Sequence, residues 1–367
     1  MNFDFSEEQK LLQETAREYL AEHSPLSACR AVLESGGSHD AELWKGAAEM
    51  GWLGAAVPEI YGGAGFGRLE LSLLAMEVGR ALAPIPFAPS VYLCTEAILE
   101  AGSDAQRDRW LPRLVSGEVI GSFGISEQVG RSGVAQLETR FEGGCVHGVK
   151  QPVPDVGVAG LLLAAVETGK GPGLALVELG GEGVVAENLE SLDASRPLGR
   201  LTLKGAPAEL LGGDGAGEAF LAHLLDRAAV LMAFEQVGGA ERALEITREF
   251  TLGRFAFGRP IASFQALKHR MADIYAAIQL AASSAYYGAW ALSTGDAELA
   301  TAACGARVTA SDAFDLATTE MIQMHGGVGY TWEYDCHLFY RRARGLGHAL
   351  GSATEWREKL VQRLEGN

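Results

Sequence analysis

Apolar positions along the chain change their period twice. Up to about residue 120 they recur at helical spacing. Leu12, Ala16, Tyr19 and Leu20 form one stripe, entered through Ser6 and Gln9 at the spacing of a capping box. Segments 41–50, 69–82, 95–102 and 105–115 read as further helices, with Glu77 and Arg80 as the polar positions of the 69–82 segment. Between them lie a Gly- and Pro-rich loop, GWLGAAVPEIYGGAGFG, and a proline-locked crossing, APIPFAPS. From 121 to 210 the pattern breaks into seven short runs: SFGIS, ETRFEG, CVHGVK, GLLLAAVE, GLALVEL, GVVAENL and GRLTLKG. Their spacing near ten residues, with Gly or Asp/Ser turns between them, predicts an antiparallel β domain. Beyond residue 216 the helical period returns over 219–252, 264–293, 296–324 and 354–364, and predicts a four-helix bundle. The expected fold class is α+β, divided into a helical domain (1–120), a β domain (121–212) and the bundle (213–367). No internal repeat, low-complexity tract or long linker interrupts it.

Composition narrows the picture. A chain of 367 residues accommodates two or three domains, and 48% hydrophobic with 21% charged residues describes a globular protein. A net charge of −17 argues against nucleic acid or an anionic membrane as partner. The five cysteines (29, 94, 145, 304 and 336) show no metal-ligand spacing, so reduced thiols in a cytoplasmic protein are expected. No charged n-region with an apolar core opens the sequence, so no signal peptide is expected, and the apolar stretch LLDRAAVLMAF is charged and too short to span a bilayer.

Two segments concentrate unusual residues. In RFAFGRPIASFQ (254–265), Arg254 and Arg259 bracket Phe255 and Phe257, and Gly258 and Pro260 break helical geometry before Phe264 and Gln265 resume it. An arginine fork beside a helix start is suited to a diphosphate. In QMHGGVGY (323–330), Gly326 and Gly327 permit close backbone approach to a ligand, with Gln323 as a polar hand one turn earlier. Taken singly, each piece also fits a surface turn or an ordinary helix end. Taken together, RxxFGRPIxxFQ followed about sixty residues later by QMHGGxGY resembles the acyl-CoA dehydrogenase family, along essentially the whole chain. The loop VPEIYGGAG also matches that family.

The resemblance implies a small β-barrel between two helical domains and FAD as cofactor. It implies an acyl-CoA thioester as substrate and an electron-transfer flavoprotein as electron acceptor. In the family the two motifs reach across a subunit interface to the adenosine-diphosphate half of the neighbour's FAD. That role would fall to Arg254, Phe257, Phe264, Gln265, Gln323, Gly326 and Gly327.

The family reaction needs a carboxylate near the substrate α-carbon, to take a proton while FAD takes the β-hydride. Most members carry that glutamate before a Gly-Thr pair. Here the matching segment, RRARGLGHALGS, has Leu350 at the position, followed by Gly351 and Ser352. A minority, isovaleryl-CoA dehydrogenase among them, place it on the first bundle helix. Counting back from Arg254 puts Ala228 there, with Ala229 where an arginine often stands. Asp226, Glu235 and Glu355 are substitute carboxylates, Asp226 first among them, although each also reads as an ordinary helix carboxylate.

The flavin-ring side is altered as well. The family's T-E-P-x-x-G-S-D loop appears as ISEQVGRSG: Ser126 keeps a hydroxyl for the flavin, Glu127 and Ser132 match, and Gln128 and Gly133 replace the proline and aspartate. Ser132 is the weak substrate-side candidate. In the following K-x-W-I-T segment Lys150 remains, while Pro152 and Pro154 replace the tryptophan and threonine that contact the flavin. The elements a subunit uses for its own flavin ring and substrate are thus replaced, and those it lends to a neighbour are kept. This split favours a partner subunit of a heteromeric (α2β2) acyl-CoA dehydrogenase. The competing readings are a self-sufficient homo-oligomer with a relocated base, a non-enzymatic family member, and another flavin chemistry on the same fold.

Overall fold

The structure, a computed structural model, describes residues 5–36, 39–128 and 137–366. The chain divides into two compact units. One comprises residues 1–30, 68–83 and 229–367, the other 31–67 and 84–228.

The N-terminal third contains helices α1 (Glu7–His23), α2 (Leu26–Glu34), α3 (Ala41–Glu49), α4 (Arg68–Arg80), α5 (Glu96–Ala101) and α6 (Asp104–Val115). Their starts follow local chemistry. Ser6 with Gln9 closes a capping box on α1 and Ser103 with Gln106 another on α6, while Asp40 caps α3 through the Leu43 N–H. Two features escaped the hydrophobic pattern: α2, and a buried π-helical run over Ala88–Thr95 that leads into α5. That run holds the start of the sheet, because Ser90 Oγ accepts the Gly121 N–H at 3.1 Å.

The seven expected runs all form strands: β1 (Gly121–Gly124), β2 (Arg140–Glu142), β3 (Cys145–Pro154), β4 (Leu161–Thr168), β5 (Gly171–Glu178), β6 (Val184–Leu189) and β7 (Leu198–Leu210). The pairing is mixed rather than purely antiparallel, since β4 runs parallel to both β1 and β2. Runs of alternating or continuous apolar residues reveal a strand but not the direction of its neighbour. Strands β4, β2, β3, β7 and β5 pair in turn, and β5 pairs back to β4, which closes a five-strand circuit. Inside it Val146, Val153, Leu162, Ala164, Val166, Val177, Leu201 and Leu203 form one core. At about 1.5–3 kcal/mol for each large side chain buried, this cluster dominates the stability of the sheet.

Among the described residues the C-terminal segment has five α-helices, not four: α7 (Gly217–Gly253), α8 (Gln265–Thr294), α9 (Leu299–His325), α10 (Cys336–His348) and α11 (Ala353–Glu365). The missed helix is α10, which buries Leu338, Phe339, Arg342, Ala343 and Leu346 on one side. Within this unit α9 packs against α8, α10 and α11. The C-terminal part of α7 crosses α4 so closely that a Cβ on Gly238 would lie 1.9 Å from the Met76 carbonyl oxygen. Only glycine satisfies that crossing.

Candidate functional site

The segment after α7 folds into a minimal hairpin. Arg254 still donates its N–H to the Phe250 carbonyl at 2.9 Å, as if α7 continued. Phe255–Ala256 (β8) then pairs with Arg259–Pro260 (β9), and Ile261 N–H closes on Arg254 O at 2.8 Å. The two connecting residues, Phe257 and Gly258, have φ of 54° and 79°, as a two-residue hairpin turn requires. Glycine adopts this freely, whereas for Phe257 it costs about 1–2 kcal/mol. The Phe257 ring is nevertheless 95% exposed and Phe255 is 63% exposed. A strained, solvent-facing phenylalanine at a hairpin tip is not a product of core packing. The Arg259 guanidinium lies 4.1 Å from the centre of the Phe264 ring, whose edge also meets Phe257. Phe264 is the residue before α8, and no side chain caps that helix start, where Gln265 is exposed. Arg254 is exposed too.

The second motif forms the end of α9. Gln323 is exposed on its last turn, and Gly326 ends the helix by donating its N–H to the Gln323 carbonyl. Gly326 has φ 62° and ψ −139°, a conformation open essentially to glycine alone. Nothing lies within 4 Å of a Cβ built on Gly326 or Gly327, so both backbones face open space. Tyr330, 77% exposed, follows in the same turn. The two motifs are joined through a contact that the sequence does not announce. The His325 ring stacks on Phe250 at 4.1 Å, and Tyr334 meets both rings edge-on. The signal is a histidine directly before the glycine pair, but its partner lies seventy-five residues away.

On the barrel side, Ser126 follows β1, and its carbonyl accepts the Gln151 N–H at 2.9 Å. Glu127 is engaged internally. Its carboxylate accepts the N–H groups of Glu138 (2.7 Å) and Thr139 (2.8 Å) and the Lys150 ammonium (2.8 Å). Burial would raise its pKa, but the Lys150 hydrogen bond and the two N–H groups outweigh this and lower it. Lys150 is completely buried, and burial pulls its pKa down to about 8 against the opposing pull of Glu127. Glu127 and Lys150 therefore form an internal ion pair that ties the segment after β1 to β3. Pro152 lies at a register shift between β3 and β7, where a residue without an N–H costs no ladder bond. Ser132 and Gly133 lie outside the described residues.

Neither position that the resemblance gives for the base holds a proton acceptor. Leu350 sits in the α10–α11 turn at φ 63°, its carbonyl accepting Trp356 Nε1–H at 3.0 Å. The turn is anchored from inside by Arg307, which donates to the carbonyls of Leu346 and Ala349 and to Gln236 and Ser311. Ala228 and Ala229 are fully buried. Of the substitutes, Glu235 is fully buried, and its charge supports that of Arg307, whose pKa burial lowers to about 10. Glu355 completes the capping box of α11 with Ser352. Both have structural roles. Asp226 is 4% exposed on α7.

Comparison with known proteins agrees along the chain. Family models described as "Acyl-CoA dehydrogenase, N-terminal domain" and "Acyl-CoA dehydrogenase, C-terminal domain" match residues 6–118 and 215–364. The chain belongs to the acyl-CoA dehydrogenase family. Among its relatives is acyl-CoA dehydrogenase IpdE2 of Mycobacterium tuberculosis, 32% identical over 98% of this chain and 96% of the relative. Among solved structures, a variant of the Tcur3481–Tcur3483 steroid ACAD superposes with a TM-score of 0.90 at 32% identity, covering 98% of both chains. The ChsE4–ChsE5 complex from Mycobacterium tuberculosis gives 0.91 at 26%, covering 100% of both. Acyl-CoA dehydrogenases are FAD-binding flavoproteins, and this chain is an oxidoreductase of that type. Among the described residues, no helix of this acyl-CoA dehydrogenase is long and apolar enough to cross a membrane.

Proposed function

We propose that this chain is the partner subunit of a heteromeric acyl-CoA dehydrogenase. It lends its hairpin and glycine turn to an FAD shared with a second dehydrogenase chain, and that chain supplies the base for α,β-dehydrogenation of an acyl-CoA. One observation carries the reading. Most residues suited to the ADP half of FAD are exposed, with Phe257 and Gly326 held at positive φ, while both positions expected for the base hold apolar side chains. The exposed set accepts a diphosphate on physical grounds. Arg254 offers a planar fork, the α8 start offers N–H groups without a side-chain cap, and Gly326 and Gly327 bare their backbone. Gln265 and Gln323 add polar hands, and the Phe257 and Phe264 rings give the cofactor an apolar wall.

FAD, when bound, supplies the hydride acceptor. This chain holds its diphosphate end, excludes water there and fixes its orientation. The ring side is less suited: Ser126 keeps a hydroxyl, but Pro152 and Pro154 bring neither a stacking indole nor a hydroxyl. Two of the similar structures carry two-chain names, and one is called a steroid ACAD, which supports a bulky acyl group on the CoA thioester. The reading includes an electron-transfer flavoprotein as acceptor, a cytoplasmic setting and the three-part division at about residues 120 and 212, with a barrel in the middle and a helical bundle after it.

The test is Arg254→Ala in this chain, assembled with its wild-type partner. FAD content should fall at least tenfold while the assembly forms as before and the FAD-stripped complexes melt at the same temperature. Equal FAD content in mutant and wild type would remove the diphosphate role.

A further inference from the structure

The two halves of the exposed site belong to different helices, yet the structure joins them by one stack of rings. Phe250 lies on the last turns of α7, and its carbonyl receives the Arg254 N–H at 2.9 Å, so the ring and the base of the hairpin share one backbone turn. His325 is the last residue of α9 and precedes Gly326. Its ring lies 4.1 Å from the Phe250 ring at an interplanar angle of 24°. Its Nδ1 sits 2.7 Å from the Met321 carbonyl, which fixes the ring orientation. Tyr334, beyond the glycine turn, closes edge-on against both rings, at 6.0 Å from His325 and 6.2 Å from Phe250. The stack therefore holds three points: the root of the hairpin, the end of α9 and the exit of the glycine turn. His325 is 5% exposed, although its neighbours Gln323, Gly326 and Gly327 are all exposed.

We propose that His325 is a positioning residue, and that the Phe250–His325–Tyr334 stack makes the hairpin at 254–260 and the turn at 326–330 a single rigid half-site. The proposal deepens, and rests on, the cofactor role assigned above. A diphosphate held by groups from two separate segments needs their spacing fixed before it arrives, because ordering either segment on binding would consume affinity. The ring serves best uncharged: burial lowers its pKa, opposed only by the Met321 carbonyl. From α7 it faces the Phe250 ring, and from the segment after the turn the Tyr334 phenol. Asp335 next to Tyr334 is paired with Arg30. Protonation adds a charge to a buried ring, at the desolvation cost that lowers its pKa, so the half-site loosens as pH falls below the ordinary histidine value.

The experiment compares His325→Leu, which removes the ring, with His325→Phe, which keeps a ring that does not titrate. Hydrogen exchange of the full chain is followed at 254–258 and 326–330, with β4 and β5 as internal reference, and FAD release is followed in the assembled complex. His325→Leu should raise exchange at both segments together and speed FAD release at least tenfold. His325→Phe should restore both within about twofold and lack the acid-side acceleration of FAD release expected of the wild type. Faster exchange at 326–330 alone would overturn the coupling, as would a His325→Phe protein that behaves like His325→Leu. Should His325→Leu fail to fold, Phe250→Leu breaks the same stack from α7 and is read by the same criteria. A wild-type complex without FAD would overturn the cofactor reading, and the exchange data would still decide the coupling.

Discussion

Lys150 carries its charge where no water reaches it, and its pKa records the cost. The folded chain gives up that proton at about pH 8, whereas an unfolded chain holds it to its ordinary 10.5. Between those values the unfolded state binds more protons, so this residue's contribution to stability rises with pH, by at most about 1.4 kcal/mol per unit. Unfolding free energies of wild type and Lys150→Met at pH 7.5 and 9.5 should therefore diverge by about 2 kcal/mol in favour of wild type at the higher pH. An unchanged difference would mean that Lys150 is not desolvated. Asp226 gives a second prediction at this scale. If the base belongs to another chain, Asp226→Asn leaves the turnover of the assembled complex within about threefold, and a loss of several orders of magnitude would identify Asp226 as the base. The breaks in the hairpin and the glycine turn were legible because Gly258 and Gly326 stand where the backbone demands glycine. The Glu127–Lys150 pair was not, since its partners lie 23 residues apart and meet only through β3. Glu355 passes for a free carboxylate in the sequence, although Ser352 three residues earlier spells a capping box.

Among the elements, period decided what was readable. All seven strands follow their runs, but the parallel partnership of β4 with β1 and β2 depends on which strands the closed circuit brings together. Helix α10 was hidden by its composition: Arg341, Arg342, Arg344 and two glycines read as a polar segment. Arg342 in fact lies buried, with a guanidinium nitrogen 3.3 Å from the Leu82 carbonyl. A charged residue on the inner face breaks the apolar stripe that a helix normally shows. The α4–α7 crossing supplies the prediction at this scale. Gly238→Ala forces a methyl group against the Met76 carbonyl, with no flexible side chain to give way. It should cost about 3 kcal/mol in chemical unfolding. A loss below about 0.5 kcal/mol would show that the helices separate without penalty.

For the whole molecule, the proposed function divides the labour between two chains. The parts turned outward are Arg254, Phe257, Gln323 and the glycine turn, with Phe257, Gly258 and Gly326 at positive φ. Of the positions expected for the base, Leu350 is half-buried in a turn and Ala228 is fully buried, and both are apolar. The most direct measurement is the visible flavin spectrum of the chain purified alone and then co-expressed with a second acyl-CoA dehydrogenase chain. The chain alone should be colourless, and the co-purified complex should be yellow and bleach on addition of a suitable acyl-CoA. A stoichiometric yellow homo-oligomer that an acyl-CoA bleaches unaided would contradict the account and return the base to this chain.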